Sequence, residues 1–178
     1  MGGAADQCVA SLGGLTLAQL RWIFTDWDND KLENNDNGGV NVKSVAPNDD
    51  GDGVKEWSDL YADCKEIPIN TYGAGDQSGT HDFFGEVALC KNCFKGKSGY
   101  DPEYFPTCDM TEVHKLEAMS NDASAAYIKG SRSLLGAPNC YVPSEDDDKI
   151  FNWVLADDGG IAFFGYAHYS MHDTQLEI

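Results

Sequence analysis

Basic residues are scarce in this sequence. Only 12 Lys and Arg stand against 30 Asp and Glu in 178 residues, which gives a net charge of -18 at neutral pH. Such a surface repels phosphate backbones and anionic lipids, so we expect no nucleic-acid partner. The sequence also lacks an apolar run long enough to cross a bilayer, and we expect no membrane insertion.

Signs of catalysis, repetition and a secretion signal are also missing. No nucleophile–base pair or acid pair stands out, so we expect that the protein is not an enzyme. There is no internal repeat, and a hydrophobic fraction of 42% is enough for the core of one domain. No apolar segment follows Met1-Gly2-Gly3, so we expect that any secretion signal lies outside this sequence.

Six cysteines in an acidic, loop-rich chain indicate an oxidising compartment and as many as three disulfides, without defining the pairs. A zinc site on Cys90 and Cys93 with two later cysteines is the alternative, but a second C-x-x-C is absent and the spacings are unequal. A thioredoxin-like role for Cys90-x-x-Cys93 is weak, because the pair does not lie at a strand-to-helix turn. The disulfide candidates are Cys8, Cys64, Cys90, Cys93, Cys108 and Cys140.

Strand patterns alternate with helix patterns along the chain. A helix is predicted over 15–24, with Thr16 and Gln19 as a capping box, and another opens at Ser144 with acidic residues in its first turn. Strands are predicted over 67–72 and 160–166, and shorter helices over 83–89 and 111–119. This order predicts an α/β layer architecture.

The stretch YGAGDQSGTHDFFGE, residues 72–86, predicts a strand that passes through a glycine-rich turn into a helix. Glycines allow close approach of a ligand and positive φ, and the free N–H groups of a helix N-terminus attract anions. Ser78 and Thr80 add hydroxyl donors, and Asp76 could accept a hydrogen bond from an anion that keeps a proton, such as monohydrogen phosphate. The alternative is that Ser78 or Thr80 only caps the helix.

Several blocks, in order, resemble the phosphate-binding proteins of phosphate ABC transporters, specifically the second lobe of their two-lobed fold. LTLAQLRWIF is similar to a helix of that family, and EWSDLYADCKEIPINTYG is similar to a turn that runs into a strand. GAGDQSGTHDFFGE resembles the GPGTDSGTFDYFTE of one branch, and PSEDDDKIFNWV and GIAFFGYAHY resemble later blocks. Together the blocks cover about half of the chain.

The resemblance implies one three-layer lobe of a type II periplasmic-binding-protein fold over residues 4–178, with a mixed central sheet flanked by helices. It implies a secreted, extracellular or periplasmic protein, with a phosphate-type oxyanion as ligand and a second lobe or neighbouring domains as partner. The matching anion-contacting residues are Ser78, Gly79 and Thr80, with Asp76 at a family carboxylate. Ala74 replaces an Arg that holds phosphate in part of the family, and Arg132 is its candidate substitute.

Two insertions, at about 25–53 and 92–138, separate the matched blocks, and disulfides are the predicted role of the second. NDDGDGVKEWSD ends the first and places Asn48, Asp50, Asp52 and Asp59 at ligand positions of a Ca²⁺ loop, so Ca²⁺ is the candidate cofactor. A solvated acidic turn is the simpler interpretation, because Lys55 takes a position that is usually aliphatic. The alternative function is an extracellular structural or interaction module that kept the fold and lost phosphate binding.

Overall fold

The computed structural model describes residues 1–25, 45–90, 105–109, 111 and 139–172. Arg132, Cys93 and all but the first residue of the helix predicted over 111–119 lie outside these ranges. The helices are α1 (Gly3–Leu12), α2 (Leu17–Phe24), α3 (Trp57–Leu60), α4 (Gly79–Val87), α5 (Asp147–Ala156) and α6 (Tyr166–His172); the strands are β1 (Asn70–Ala74), β2 (Tyr141–Ser144) and β3 (Gly160–Phe163).

The three strands form one sheet in the order β2-β1-β3, and both strand pairs are parallel. Tyr72 of β1 lies opposite Val142 of β2 and Ala162 of β3. The resemblance implied a mixed sheet, whereas the antiparallel pairing among the described residues is a single bridge between Glu56 and Pro68. Parallel strands need crossover connections, and α5 supplies the one between β2 and β3.

Helices cover both faces of the sheet. Side chains alternate along each strand, so neighbouring residues of one strand pack into different clusters. Tyr72 and Val142 belong to one buried cluster with Trp153 of α5. Tyr141 and Ile161 belong to a second cluster, together with buried residues of α1 and α2. This arrangement agrees with the predicted α/β layers.

Two helix starts test the capping predictions. Thr16 caps α2 as predicted, because its Oγ1 accepts the N–H of Gln19 and the Gln19 side chain accepts the N–H of Thr16. The helix predicted from Ser144 starts later, at Asp147, and is capped by Asp146. Ser144 pairs with Ala74 in the sheet instead, so it remains part of β2.

Disulfides close two loops of the described chain. Cys8 of α1 is bonded to Cys64, 56 residues later, and Cys108 is bonded to Cys140, 32 residues later. Cys90 is also disulfide-bonded, and no described cysteine is free. The predicted disulfide role is thus confirmed for these cysteines, and the zinc alternative is wrong because Cys108 and Cys140 are bonded to each other.

Described residues of both insertions contribute to the hydrophobic core. Val45 and Ala46 from the first insertion and Phe105 from the second are buried in the same cluster as α1 and α2. None of the described helices is long and apolar enough to cross a membrane.

Candidate anion-binding site

The predicted anion turn lies at the carboxyl edge of the parallel sheet, where ligands of open α/β sheets bind. After β1, the N–H of Gly75 donates to the carbonyl of Ser144 at the end of β2 (3.1 Å). The N–H of Ser78 then donates to the carbonyl of Gly75 (3.0 Å), which closes a turn directly before α4. The ends of two strands therefore hold the turn in place.

Ser78, Gly79 and Thr80 come together at the N-terminus of α4, as predicted. Ser78 is the N-cap, and its Oγ accepts the N–H of Thr80 (3.2 Å). Gly79 is exposed, and a Cβ built on it meets nothing within 4 Å. The first turn of the helix thus presents its positive dipole end to open space, which favours an anion.

The end of β3 closes the other side of this space. A Cβ built on Gly165 would lie 3.9 Å from Oγ1 of Thr80 and 3.5 Å from Oδ2 of Asp147, at the start of α5. The sequence did not point to Gly165 or Asp147 as part of the site. The available signal was Gly165 near the end of the strand predicted over 160–166, since the carboxyl ends of parallel strands share an edge.

Two glycines of the YGAGD stretch have a packing role that the sequence did not predict. A Cβ on Gly73 would lie 2.6 Å from Cε1 of Phe163, and one on Gly75 would overlap the carboxylate of Glu145. Neither glycine has positive φ. They make room for protein side chains, and the expectation of positive φ is wrong for these two residues.

Aromatic rings lie beneath the turn. The Tyr141 hydroxyl donates to the carbonyl of Ala74 (2.6 Å), and burial raises the pKa of this phenol, with the nearby Glu145 carboxylate adding to the effect. The ring of Tyr141 stacks on that of Phe163, and His81 of the first turn of α4 lies 4.3 Å from Phe105 between ring centroids. These contacts support the strand end and the helix start from below.

The charge around the turn is mainly negative among the described residues. Asp76 is exposed and accepts a hydrogen bond from the Gln77 amide (3.2 Å), while Glu145 and Asp146 lie between β2 and α5. Ala74, which the resemblance aligns with an Arg, is buried in β1. The guanidinium of Arg21 is bound at the opposite end of α4, where its Nε donates to the carbonyl of Ala88 (3.2 Å).

The predicted calcium loop is an acidic turn in which carboxylates bind backbone. Oδ1 of Asp50 accepts the N–H of Asp52 (3.0 Å), and Oδ1 of Asp52 accepts the N–H of Val54 (2.7 Å). Asp59 is buried, and its Oδ2 accepts the N–H of Glu56 at the start of α3 (2.7 Å).

A Ca²⁺ ion in this loop would compete with these hydrogen bonds. Asn48 lies next to Asp59, whose backbone carbonyl accepts the Asn48 N–H (3.1 Å). Within the described ranges, no three His, Cys, Asp or Glu side chains are grouped as metal ligands would be. The calcium site stays a prediction.

Comparison with known proteins finds a distant relative. The chain is 26% identical over 121 residues to Protein SphX of Synechococcus elongatus, a match that covers 68% of this chain and 23% of that protein. The chain therefore spans about a quarter of the length of the curated relative that it matches. No family model matches the sequence, and no solved structure matches it.

Proposed function

We propose that this chain is an oxyanion-binding lobe for inorganic phosphate or a similar anion, related to the solute-binding component of phosphate ABC transporters. The observation that carries the proposal is the open N-terminus of α4, where Ser78, Gly79 and Thr80 lie together at the carboxyl edge of the sheet. A helix N-terminus and hydroxyl groups at such a position can bind the oxygens of a tetrahedral anion. The role proposed is binding, without a chemical step.

Hydroxyl and carboxylate groups give this site an expected preference for an anion that carries a proton. Ser78 and Thr80 offer O–H groups to anion oxygens, and exposed Asp76 offers an acceptor that only a protonated anion can use. A carboxylate beside a fully ionised anion would repel it. Monohydrogen phosphate fits this combination, and sulfate, which carries no proton at neutral pH, fits it less well.

The proposed setting is a secreted or periplasmic protein in which other parts of the molecule complete the ligand shell. The disulfides Cys8–Cys64 and Cys108–Cys140 support an oxidising compartment. The site at the sheet edge is open on the side of Gly79, so a single lobe should bind phosphate weakly. A second lobe that closes over this edge would exclude water and strengthen the contacts.

Isothermal titration of the 178-residue chain with inorganic phosphate tests the proposal. Ser78→Ala removes a helix cap and a proposed ligand, and we expect it to weaken binding at least about tenfold. Thr16→Ala is the matched control, because it removes the N-cap of α2 and should cost a similar amount of stability. Equal affinities for phosphate in these two variants, or no binding to the parent chain at millimolar phosphate, would refute the proposal.

The second candidate function is a structural or interaction module that no longer binds phosphate. Two points favour it: the Glu145 carboxylate lies against Gly75 in the anion turn, and buried Ala74 stands where the resemblance places a phosphate-holding Arg. Carboxylates around a site weaken binding of an anion through repulsion. This candidate predicts that Ser78→Ala changes only stability, and that reduction of the disulfides unfolds the domain.

A further inference from the structure

We propose that Phe105, which belongs to the second insertion, is a positioning residue for the anion turn and acts through His81. The inference rests on the proposed function, since it concerns the same turn. The sequence predicted only a disulfide role for this insertion. The structure places its described residues 105–109 directly beneath the first turn of α4.

Segment 105–109 is fixed to the outer edge of β2. The N–H of Tyr141 donates to the carbonyl of Pro106 (2.7 Å), and the N–H of Cys108 donates to the carbonyl of Tyr141 (2.9 Å). Thr107 and Tyr141 form a parallel bridge, and the disulfide Cys108–Cys140 joins the same two stretches covalently. The segment thus extends the sheet by a short length of chain with little freedom to move.

The backbone of Phe105 is held in a conformation that a bulky side chain rarely adopts. Its φ is 55°, in the left-handed region, where a residue of this kind carries a conformational cost. The N–H of Phe105 donates to the carbonyl of Phe24 (2.9 Å), and its carbonyl accepts the hydroxyl of Thr107 (3.0 Å). Such a conformation persists because its surroundings fix it, and here it directs the ring into the core, where Phe105 is 5% exposed.

The ring of Phe105 connects the sheet to the start of α4. Its centroid lies 5.0 Å from that of Tyr141 and 4.3 Å from that of His81, which directly follows Thr80. A ring packed against the third residue of the helix limits movement of the first turn. Because Ser78, Gly79 and Thr80 belong to that turn, the contact pre-organises the donors before an anion binds and reduces the entropy lost on binding.

Phosphate titration of Phe105→Leu tests the inference, since leucine keeps apolar volume and loses the aromatic contact. We expect the Kd for phosphate to rise about tenfold, the upper end of the effect of one aromatic pair. Phe151→Leu is the matched control: Phe151 is also a buried phenylalanine beside a histidine, His168, but it packs in the other core cluster. Its Kd should stay within about twofold of the parent value.

The same contact can be removed from the His81 side, which keeps the test informative if Phe105→Leu does not fold. His81→Ala should raise the Kd about as much as Phe105→Leu, whereas His81→Phe, which keeps a ring, should restore most of the affinity. The double variant Phe105→Leu/His81→Ala should bind no more weakly than either single variant, because both remove one contact. Phosphate should also shift the NMR signal of the His81 ring protons in the parent chain and much less in Phe105→Leu.

The outcomes separate this inference from the proposed function. If the parent chain binds no phosphate, the proposed function fails and this inference fails with it. If the parent chain binds phosphate but Phe105→Leu and Phe151→Leu weaken binding equally, Phe105 has a structural role alone and only this inference is overturned. Additive effects of Phe105→Leu and His81→Ala would overturn it as well.

Discussion

At the scale of single residues, a hydrogen bond and burial have opposite effects on the pKa of Asp59. Its carboxylate accepts the N–H of Glu56 and caps α3, which favours the charged form. Burial has the larger effect and raises the pKa of Asp59 from 3.8 to about 6, with the charges of Asp49 and Glu56 adding to it. The folded protein therefore binds a proton at Asp59 more tightly than the unfolded chain does.

We predict that Asp59 makes the protein more stable as the pH falls from 7 to 4. The stabilising contribution of its proton is complete below the unfolded pKa near 3.8 and is lost as the pH rises through the folded pKa of about 6. Asp59→Asn should remove this part of the pH dependence, measured as the free energy of unfolding in urea at several pH values.

Glu86→Gln, a change at an exposed carboxylate of α4, is the control and should leave the pH dependence between 4 and 7 close to that of the parent chain. A pH dependence of Asp59→Asn that is as steep as that of the parent chain would contradict the prediction. The prediction would also be contradicted if Asp59 made the parent chain less stable, relative to Asp59→Asn, as the pH falls from 7 to 4.

At the scale of elements, the position of α1 depends on contacts far along the chain. The N–H groups of Gly2 and Ala5 donate to the carbonyls of Gly160 and Asp158 (2.9 Å each), beside the start of β3. Cys8 is bonded to Cys64, close to the end of α3. Helix α1 therefore joins the first residues of the chain to the sheet and to α3.

We predict that the double change Cys8→Ala/Cys64→Ala lowers the free energy of unfolding by about 4 kcal/mol. A disulfide that closes a loop of this length, with a sequence separation of 56, restricts the unfolded chain by about that amount. Urea unfolding followed by circular dichroism measures the difference. Ser11→Ala on α1 is the control and should change stability by no more than about 0.5 kcal/mol.

A loss of less than about 1 kcal/mol in the double variant would show that the contacts of Gly2 and Ala5 hold α1 without the disulfide. Phosphate affinity should be unchanged by the same double change, because neither cysteine belongs to the anion turn. A loss of phosphate affinity in the double variant would mean that the position of α1 affects the anion turn through the packing of the core.

At the scale of the whole molecule, the net charge of -18 dominates the response to solution conditions. Like charges at this density repel one another in the compact state. Salt screens this repulsion, since the Debye length falls from about 30 Å at 0.01 M to about 3 Å at 1 M. The same charge opposes the approach of an anionic ligand.

We predict that the Tm rises as NaCl increases from about 0.01 M to about 0.5 M, because screening relieves self-repulsion in the folded state. Differential scanning calorimetry in a phosphate-free buffer measures the change. CaCl₂ and MgCl₂ at equal ionic strength separate general screening from the predicted calcium loop, since only a specific site distinguishes the two ions.

A rise in Tm that is specific to Ca²⁺ and is removed by Asp50→Asn/Asp52→Asn would support the calcium prediction. Equal effects of Ca²⁺ and Mg²⁺ would favour the solvated acidic turn. A Tm that falls as NaCl increases would contradict the screening prediction.

The sequence predicted those parts of the fold that are determined by residues close together along the chain. The capping box of Thr16 and Gln19 and the turn from β1 into α4 follow from residues at most a few positions apart. Helix α1 was not predicted, because its stability comes from Cys64 and from the carbonyls beside β3. Helix α5 starts later than the predicted start at Ser144, because Ser144 pairs with Ala74 of β1 and belongs to the sheet.

The sequence by itself determined that Ser78, Gly79 and Thr80 form a capped helix N-terminus after a strand, since backbone geometry and capping are local properties. Only the tertiary structure decided what surrounds that turn: Glu145 against Gly75, Phe163 against Gly73, and Gly165 near Thr80. These contacts arise because parallel strands bring segments that are distant in sequence to one edge. The local pattern can show where an anion could bind, and the tertiary packing controls the charge, shape and rigidity of that site.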